Sequence, residues 1–298
     1  MKLLSRLTTG LILTLSVSTA DINVYETTDS KAINFKTVGA MFKASNYSVE
    51  AVSKLDKKFK KAFKDTTFNK FKIIAVKENE ISPKLILKYP DAGAFIPFSV
   101  VLQSYSNSDK VTFTTLDTDT MKKVLGAKDC KLLDKLEKKN NQIASSFGFD
   151  VSKPKKFNYS SAKPEGNLLY KKEIKGNPRI LSSKLTNTML KHKFAIVNEL
   201  DLKKEYPSIK KNFDFYKTYS ICKVKVLYVS AQTRPEAAAF APCSLAVYKK
   251  KGSNKTTIVF PSTYNWLSSL NIKDPKAIKI LRDEQKEIEH FIDALTHK

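Results

Sequence analysis

Residues 90–97 read Pro90-Asp91-Ala92-Gly93-Ala94-Phe95-Ile96-Pro97, and residues 235–242 read Pro235-Glu236-Ala237-Ala238-Ala239-Phe240-Ala241-Pro242. Each runs into an apolar segment, Phe98-Ser99-Val100-Val101-Leu102 in the first case and Cys243-Ser244-Leu245-Ala246-Val247 in the second. Proline at both ends of a small-residue stretch, followed by a short apolar run, predicts a turn feeding a buried strand. Its recurrence predicts two copies of one domain.

The segments around the two copies follow the same order. Downstream of the first come a polar loop at 104–110, a return strand at 111–116 and a short helix capped by Asp117 or Thr118 and stopped by Gly126. A longer helix capped at Asp129 has Leu132, Leu133, Leu136, Ile143 and Phe147 on one face. Downstream of the second come the turn Lys251-Gly252-Ser253-Asn254, a return strand at 256–260 and a short helix with Trp266, Leu267 and Leu270. Asp274-Pro275 then opens a last helix, a cap residue followed by proline at the first helical position. Upstream the match is looser. The first half reads as a strand or strand pair over 33–47, then a helix from Ser48 with Val49, Val52, Leu55, Phe59 and Phe63 inward. Lys54, Lys57, Lys58, Lys60 and Lys61 form its solvated face. Strands at 71–76 and 84–87 complete it. The second half reads as a strand at 168–174, a helix capped by Ser182 or Ser183, a strand at 194–197, a polar insertion over 201–215 with no counterpart, and a strand at 219–229. The domain boundaries are 33–148 and 167–298, joined by a polar linker at 149–166.

Residues 1–20 read as a cleavable signal peptide. Lys2 and Arg6 precede the apolar stretch 7–17, and Ser18-Thr19-Ala20 places small residues for cleavage after Ala20. The expected location is periplasmic, where cysteines meet an oxidising environment.

The chain has 298 residues, is 42% hydrophobic, and carries Lys+Arg 53 against Asp+Glu 29, a formal charge of +24. Only Arg6, Arg179, Arg234 and Arg282 are arginines. Lysine lacks the planar fork that reads base edges, and these lysines are spread along the chain. No nucleic-acid partner is expected. A weak attraction to an anionic membrane surface is.

The stretch from the apolar strand through the closing helices resembles the bacterial and archaeal family named domain of unknown function 302. The carrying residues are Pro90, Gly93, Phe95 and Pro97 with the strand at 98–102, and Pro235, Phe240, Pro242 and Cys243 with the strand at 244–248. The second copy is the closer, departing where Ala238 replaces the family's usual glycine. The resemblance implies an α+β fold: two tandem copies of an antiparallel sheet with two main helices on one face, a TATA-binding-protein-like topology. It assigns no activity, and fold likeness alone gives no licence for DNA binding.

The titratable residues exclude more than they propose. Cys130, Cys222 and Cys243 form no CxxC, and His192, His290 and His297 are scattered, so neither a metal site nor a cofactor is expected. Cys222 and Cys243 fall in strands of one repeat and are a candidate disulfide. Cys130 follows a helix cap between Lys128 and Lys131, which makes it a candidate free thiol. A sheet with helices on one side leaves its other face to a sister domain or a ligand. The candidate ligand surface there is Phe95, Pro97, Ser99, Phe240, Pro242, Cys243, Tyr228 and Tyr248. The expected function is that of an exported, non-enzymatic binding or accessory protein for a small molecule or a protein partner. The alternatives are a thiol-dependent enzyme or redox protein, and an electrostatic binder of anionic envelope polymer or lipid.

Overall fold

The computed structural model describes residues 22–27, 37–155, 165–241 and 243–296. The expected signal peptide, most of the expected linker and Pro242 lie outside them.

The first unit contains strands β1 (Ile22–Thr27), β2 (Tyr47–Lys54), β3 (Phe68–Glu78), β4 (Phe98–Tyr105) and β5 (Val111–Leu116). The second contains β6 (Leu169–Lys175), β7 (Ala195–Asp201), β8 (Phe213–Cys222), β9 (Cys243–Lys250) and β10 (Lys255–Pro261). Each set forms one five-stranded sheet, ordered β1-β5-β4-β3-β2 and β6-β10-β9-β8-β7. All neighbours are antiparallel. The first unit adds helices α1 (Val38–Ala44), α2 (Leu55–Phe63), α3 (Ile81–Lys88), α4 (Thr118–Leu125) and α5 (Lys131–Ser146). The second adds α6 (Pro178–Lys191), α7 (Leu202–Glu205), α8 (Val224–Thr233), α9 (Tyr264–Leu270) and α10 (Pro275–Ala294). The quoted sequences form two short 3-10 turns, Pro90–Phe95 and Pro235–Phe240. The fold is α+β in two tandem units, and the order of elements matches from β1 to α5 and from β6 to α10.

Local chemistry sets several boundaries. The Asp274 side chain accepts from the amides of Lys276 and Ala277, and Pro275 follows at the first helical position. Asp117 caps α4 through the amide of Asp119, and Gly126 ends that helix at φ +64°, a conformation glycine adopts without steric cost. β5 is buried along its whole length and β4 along all but its last residue. That is the mark of strands covered on both faces.

Five expectations need correction. Residues 38–44 are a helix rather than strand, because Val38 and Phe42, four apart, both turn inward. The helix expected from Ser48 begins only at Leu55; Tyr47–Lys54 is an edge strand paired with β3. Residues 84–87 belong to α3, with Pro83 in its first turn. The strand expected over 219–229 ends at Cys222, and α8 follows. The stretch 201–215 is not an insertion, since α7 and the 3-10 turn Pro207–Ile209 stand where α2 stands in the first unit.

The two units plug into each other. On one face of the first sheet, Phe113 packs with Phe147 and Phe149, at and just beyond the end of α5. The other faces are shared: the turn Pro90–Phe95 lies on β9 and β10, and the turn Pro235–Phe240 lies on β4, β5 and β1. Helices α2 and α8 meet beside these plugs, where Tyr228 stacks on Phe63 with ring centroids 3.9 Å apart. The edges β2 and β7 also touch. Nearby, Tyr206 donates to the Glu78 carbonyl at 3.1 Å and Lys77 pairs with Glu205 at 2.5 Å.

Candidate functional site

Two places on the molecule merit a functional reading: the seam between the plugs and a groove on the second unit. The seam gathers most of the residues expected to bind a ligand. Phe95, Pro97 and Ser99 from the first unit meet Phe240 and Cys243 from the second, with Met121 and Trp266 behind them. The lining is near-symmetric, since Phe95 corresponds to Phe240 and Ser99 to Ser244 in the register of each unit. The enclosed volume is about 30 Å³. That holds one water and falls far short of a ligand pocket of several hundred Å³. The seam is packing.

Tyr248 and Tyr228 lie elsewhere in the interface. Tyr248 is buried and donates to Asp91 Oδ1 at 2.6 Å. Lys171 completes the contact at 2.9 Å from Asp91 Oδ2. Beside it Tyr216 accepts from the Gly93 amide at 3.1 Å and donates to the Pro90 carbonyl. Tyr228 packs between α2 and α8. Both expected tyrosines hold the units together.

The thiols are all free and buried. Strand register sets Cys243 opposite Ile221 rather than Cys222, so a bridge would need a one-residue slip that reverses the faces. Burial pushes the Cys222 thiol up to about 12 and Cys243 well above its usual range, with Glu284 adding to both. Cys130 is the residue before α5, fully buried, and no thiol presents an exposed nucleophile.

The groove was not legible in the sequence. It lies between α6, β7, α7 and the start of β8, with a volume of about 520 Å³. Asn177 caps α6 through the amide of Arg179, which sets Arg179 at the groove's rim. Ser182, Ser183 and Thr186 line it from the same helix. From the sheet side come Glu199, Lys217 and Tyr219, and from the connection Lys203, Lys204 and Lys210. Part of this charge is compensated: Lys217 pairs with Glu199, Lys204 lies 3.7 Å from Asp201, and Lys203 donates to the Asp214 carbonyl at 2.9 Å. Burial works against the Lys217 ammonium, but Glu199 and its neighbours still hold its pKa above the usual value. Tyr219 bonds to Ser182, and burial raises its pKa. Arg179 and Lys210 form no ion pair among the described residues. Lysines and acids in the stretch read as an insertion were the available signal, but only the fold places them opposite α6.

Residues 170–295 match the family described as domain of unknown function DUF302. The match runs from β6 to the end of α10, so it covers the second unit. A crystal structure titled as an uncharacterized conserved protein DUF302 from Bacillus stearothermophilus is similar over 43% of this chain and 98% of that one. The identity is 17% and the TM-score 0.38. Comparison with curated proteins gives no match. Among the described residues no helix is long and apolar enough to cross a membrane, and no group of His, Cys, Asp and Glu could hold a metal ion.

Proposed function

We propose that the chain is an exported, non-enzymatic binding protein whose second unit takes a small anionic ligand in the groove beside α6. One observation carries the reading. A cavity of about 520 Å³ is lined by Arg179 and Lys210, which form no ion pair among the described residues, together with the hydroxyl residues Ser182, Ser183, Thr186 and Tyr219. That size suits a small molecule. Arginine binds carboxylate or phosphate in two-point fashion, and serine and tyrosine hydroxyls fix its orientation. Export is supported by the leader-like pattern of residues 1–20. A thiol-dependent reaction has less support, because the three thiols are buried and burial raises the pKa of Cys222 and Cys243.

The test is a native mass spectrum of the protein purified from its own compartment, with titration of phosphate and a small dicarboxylate into the stripped protein. Excess mass that is lost on denaturation, or saturable binding of either probe, is expected. Arg179→Ala with Lys210→Ala should abolish it while leaving the circular dichroism unchanged. A bare native mass with no binding of either probe would remove the groove from consideration.

A further inference from the structure

We infer that the solvent flank of α2, with the adjoining ends of β2 and β3, is a docking face for an anionic phospholipid surface. The inference is independent of the groove, which lies on the other unit. On α2, Leu55 and Phe59 are buried and Phe63 packs beside them. Lys57, Lys60, Lys61 and Lys64 fall on the opposite arc, and all four are exposed. Lys54 continues this flank from the end of β2, and Lys70 joins it from β3. None of these six lysines forms an ion pair among the described residues. The two acids nearby also accept internal hydrogen bonds. Asp56 accepts from the Phe71 amide at 3.4 Å. Asp65 accepts from the Thr67 amide at 2.7 Å and from Gln232 at 3.0 Å.

The register supplies a second observation. Lys54 stands directly opposite Lys72 on the neighbouring strand. Like charges opposite one another across two strands oppose folding. Burial, then Lys54 and Lys70, lowers the Lys72 pKa. At the matching position of the second unit, Asp201 stands opposite Lys217. Where Val52 sits two residues before Lys54, the second unit has Glu199, which pairs with Lys217. One fold therefore sets an acid opposite the lysine at this corner in one copy and a second lysine in the other. Val52 is 50% exposed in the midst of these lysines, an apolar side chain offered to the same partner.

The chemistry selects the partner. Lysine is a compact charge on a flexible stem, without the planar fork that fixes a single phosphate. A row of such charges on a helix flank, with an apolar residue among them, suits the diffuse field and soft interface of an anionic bilayer. Each lysine near such a surface is worth about fivefold in partitioning.

The experiment is partitioning of the whole chain onto vesicles of phosphatidylglycerol in phosphatidylcholine, with phosphatidylcholine alone as the reference. Binding to the anionic vesicles that weakens as salt rises is expected. The variant carrying Lys54→Gln, Lys60→Gln, Lys61→Gln and Lys64→Gln should lose about a hundredfold or more. A second variant carries Lys175→Gln, Lys251→Gln, Lys273→Gln and Lys276→Gln, exposed lysines elsewhere with the same charge loss. It should lose only a few-fold. Equal losses in the two variants would overturn the inference, leaving only diffuse net charge. So would absence of binding, or binding of soluble polyphosphate by this face with none to vesicles.

Discussion

In the socket that holds the turn Pro90–Phe95, Tyr216 reaches both the amide of Gly93 and the carbonyl of Pro90, while Tyr248 and Lys171 hold Asp91. In the socket that holds Pro235–Phe240, the register puts Phe71 in the place of Tyr216 and Gln103 in the place of Tyr248. The acid there is Glu236, 8% exposed, with no partner for Oε2 among the described residues. Gln103 Oε1 and Thr112 Oγ1 are likewise without partners. One plug is fixed by a polar lock and the other by an apolar ring and a buried acid whose pKa burial raises. The pair also accounts for the glycine. A Cβ on Gly93 would lie 2.6 Å from the Tyr216 ring and closer still to its hydroxyl. Ala238 faces a socket whose ring carries no hydroxyl. Glycine stands where the tyrosine leaves no room for a Cβ.

The largest effect should come from forcing a side chain into the polar socket. Gly93→Ala is expected to cost about 3 kcal/mol in chemical denaturation, since the buried tyrosine has nowhere to go. Ala238→Gly, its mirror image, should cost about 1.5 kcal/mol, through backbone entropy and the loss of one buried methyl. Equal costs would mean that the sockets do not differ as described. Tyr216→Phe comes next. It removes the hydroxyl that both the Gly93 amide and the Pro90 carbonyl contact and should cost about 1.5 kcal/mol.

The buried acids sharpen the comparison through pH. Burial holds Glu236 above its usual range and pushes Glu284, on α10, up to about 8. A raised carboxyl pKa means the folded chain binds its proton more tightly than the unfolded chain does. That stabilisation is full below the ordinary carboxylate range and is lost as pH rises, for Glu284 through about 8. Stability should therefore fall from mildly acid to mildly alkaline pH, by at most about 1.4 kcal/mol per unit for each such group. Glu284→Gln and Glu236→Gln should each flatten the slope in a series of melts. A slope unchanged by both substitutions would assign it to other groups. The smallest effect is expected of Lys171→Gln, about 0.5 kcal/mol, because that ammonium is 41% exposed.

Much of this architecture was legible because proline, small residues and aromatic anchors recur in register. The hairpins β4–β5 and β9–β10 were placed by their polar turns and the closing helices by one apolar face each, with side-chain caps as expected at Asp117 and Asp274 but none at Asp129, since α5 begins after Cys130. The failures have physical causes. Val49, Val52, Leu55, Phe59 and Phe63 are spaced as on a helix, yet the spacing straddles a strand–helix junction at Leu55. Leu85-Ile86-Leu87 is a short apolar run, which periodicity alone cannot assign to strand or helix. β1 is six residues whose pairing partner, β5, is remote in sequence. The groove and the lysine flank depend on register: Asp201 opposite Lys217 and Lys54 opposite Lys72 become neighbours only once the strands are paired.

The reciprocal plugging of the turns makes this chain, in effect, a dimer in one piece. An association between separate copies comes apart on dilution, whereas two tethered units meet at a fixed local concentration. The tether also lifts a constraint. In a symmetric pair of identical chains every substitution occurs twice, so a tyrosine that needs a glycine opposite would need one in both sockets. A chain carrying both copies can alter one corner alone. It can keep one socket polar and let the other turn apolar, or face a lysine with a lysine at one corner and with an acid at its counterpart, without asking the same of the other half.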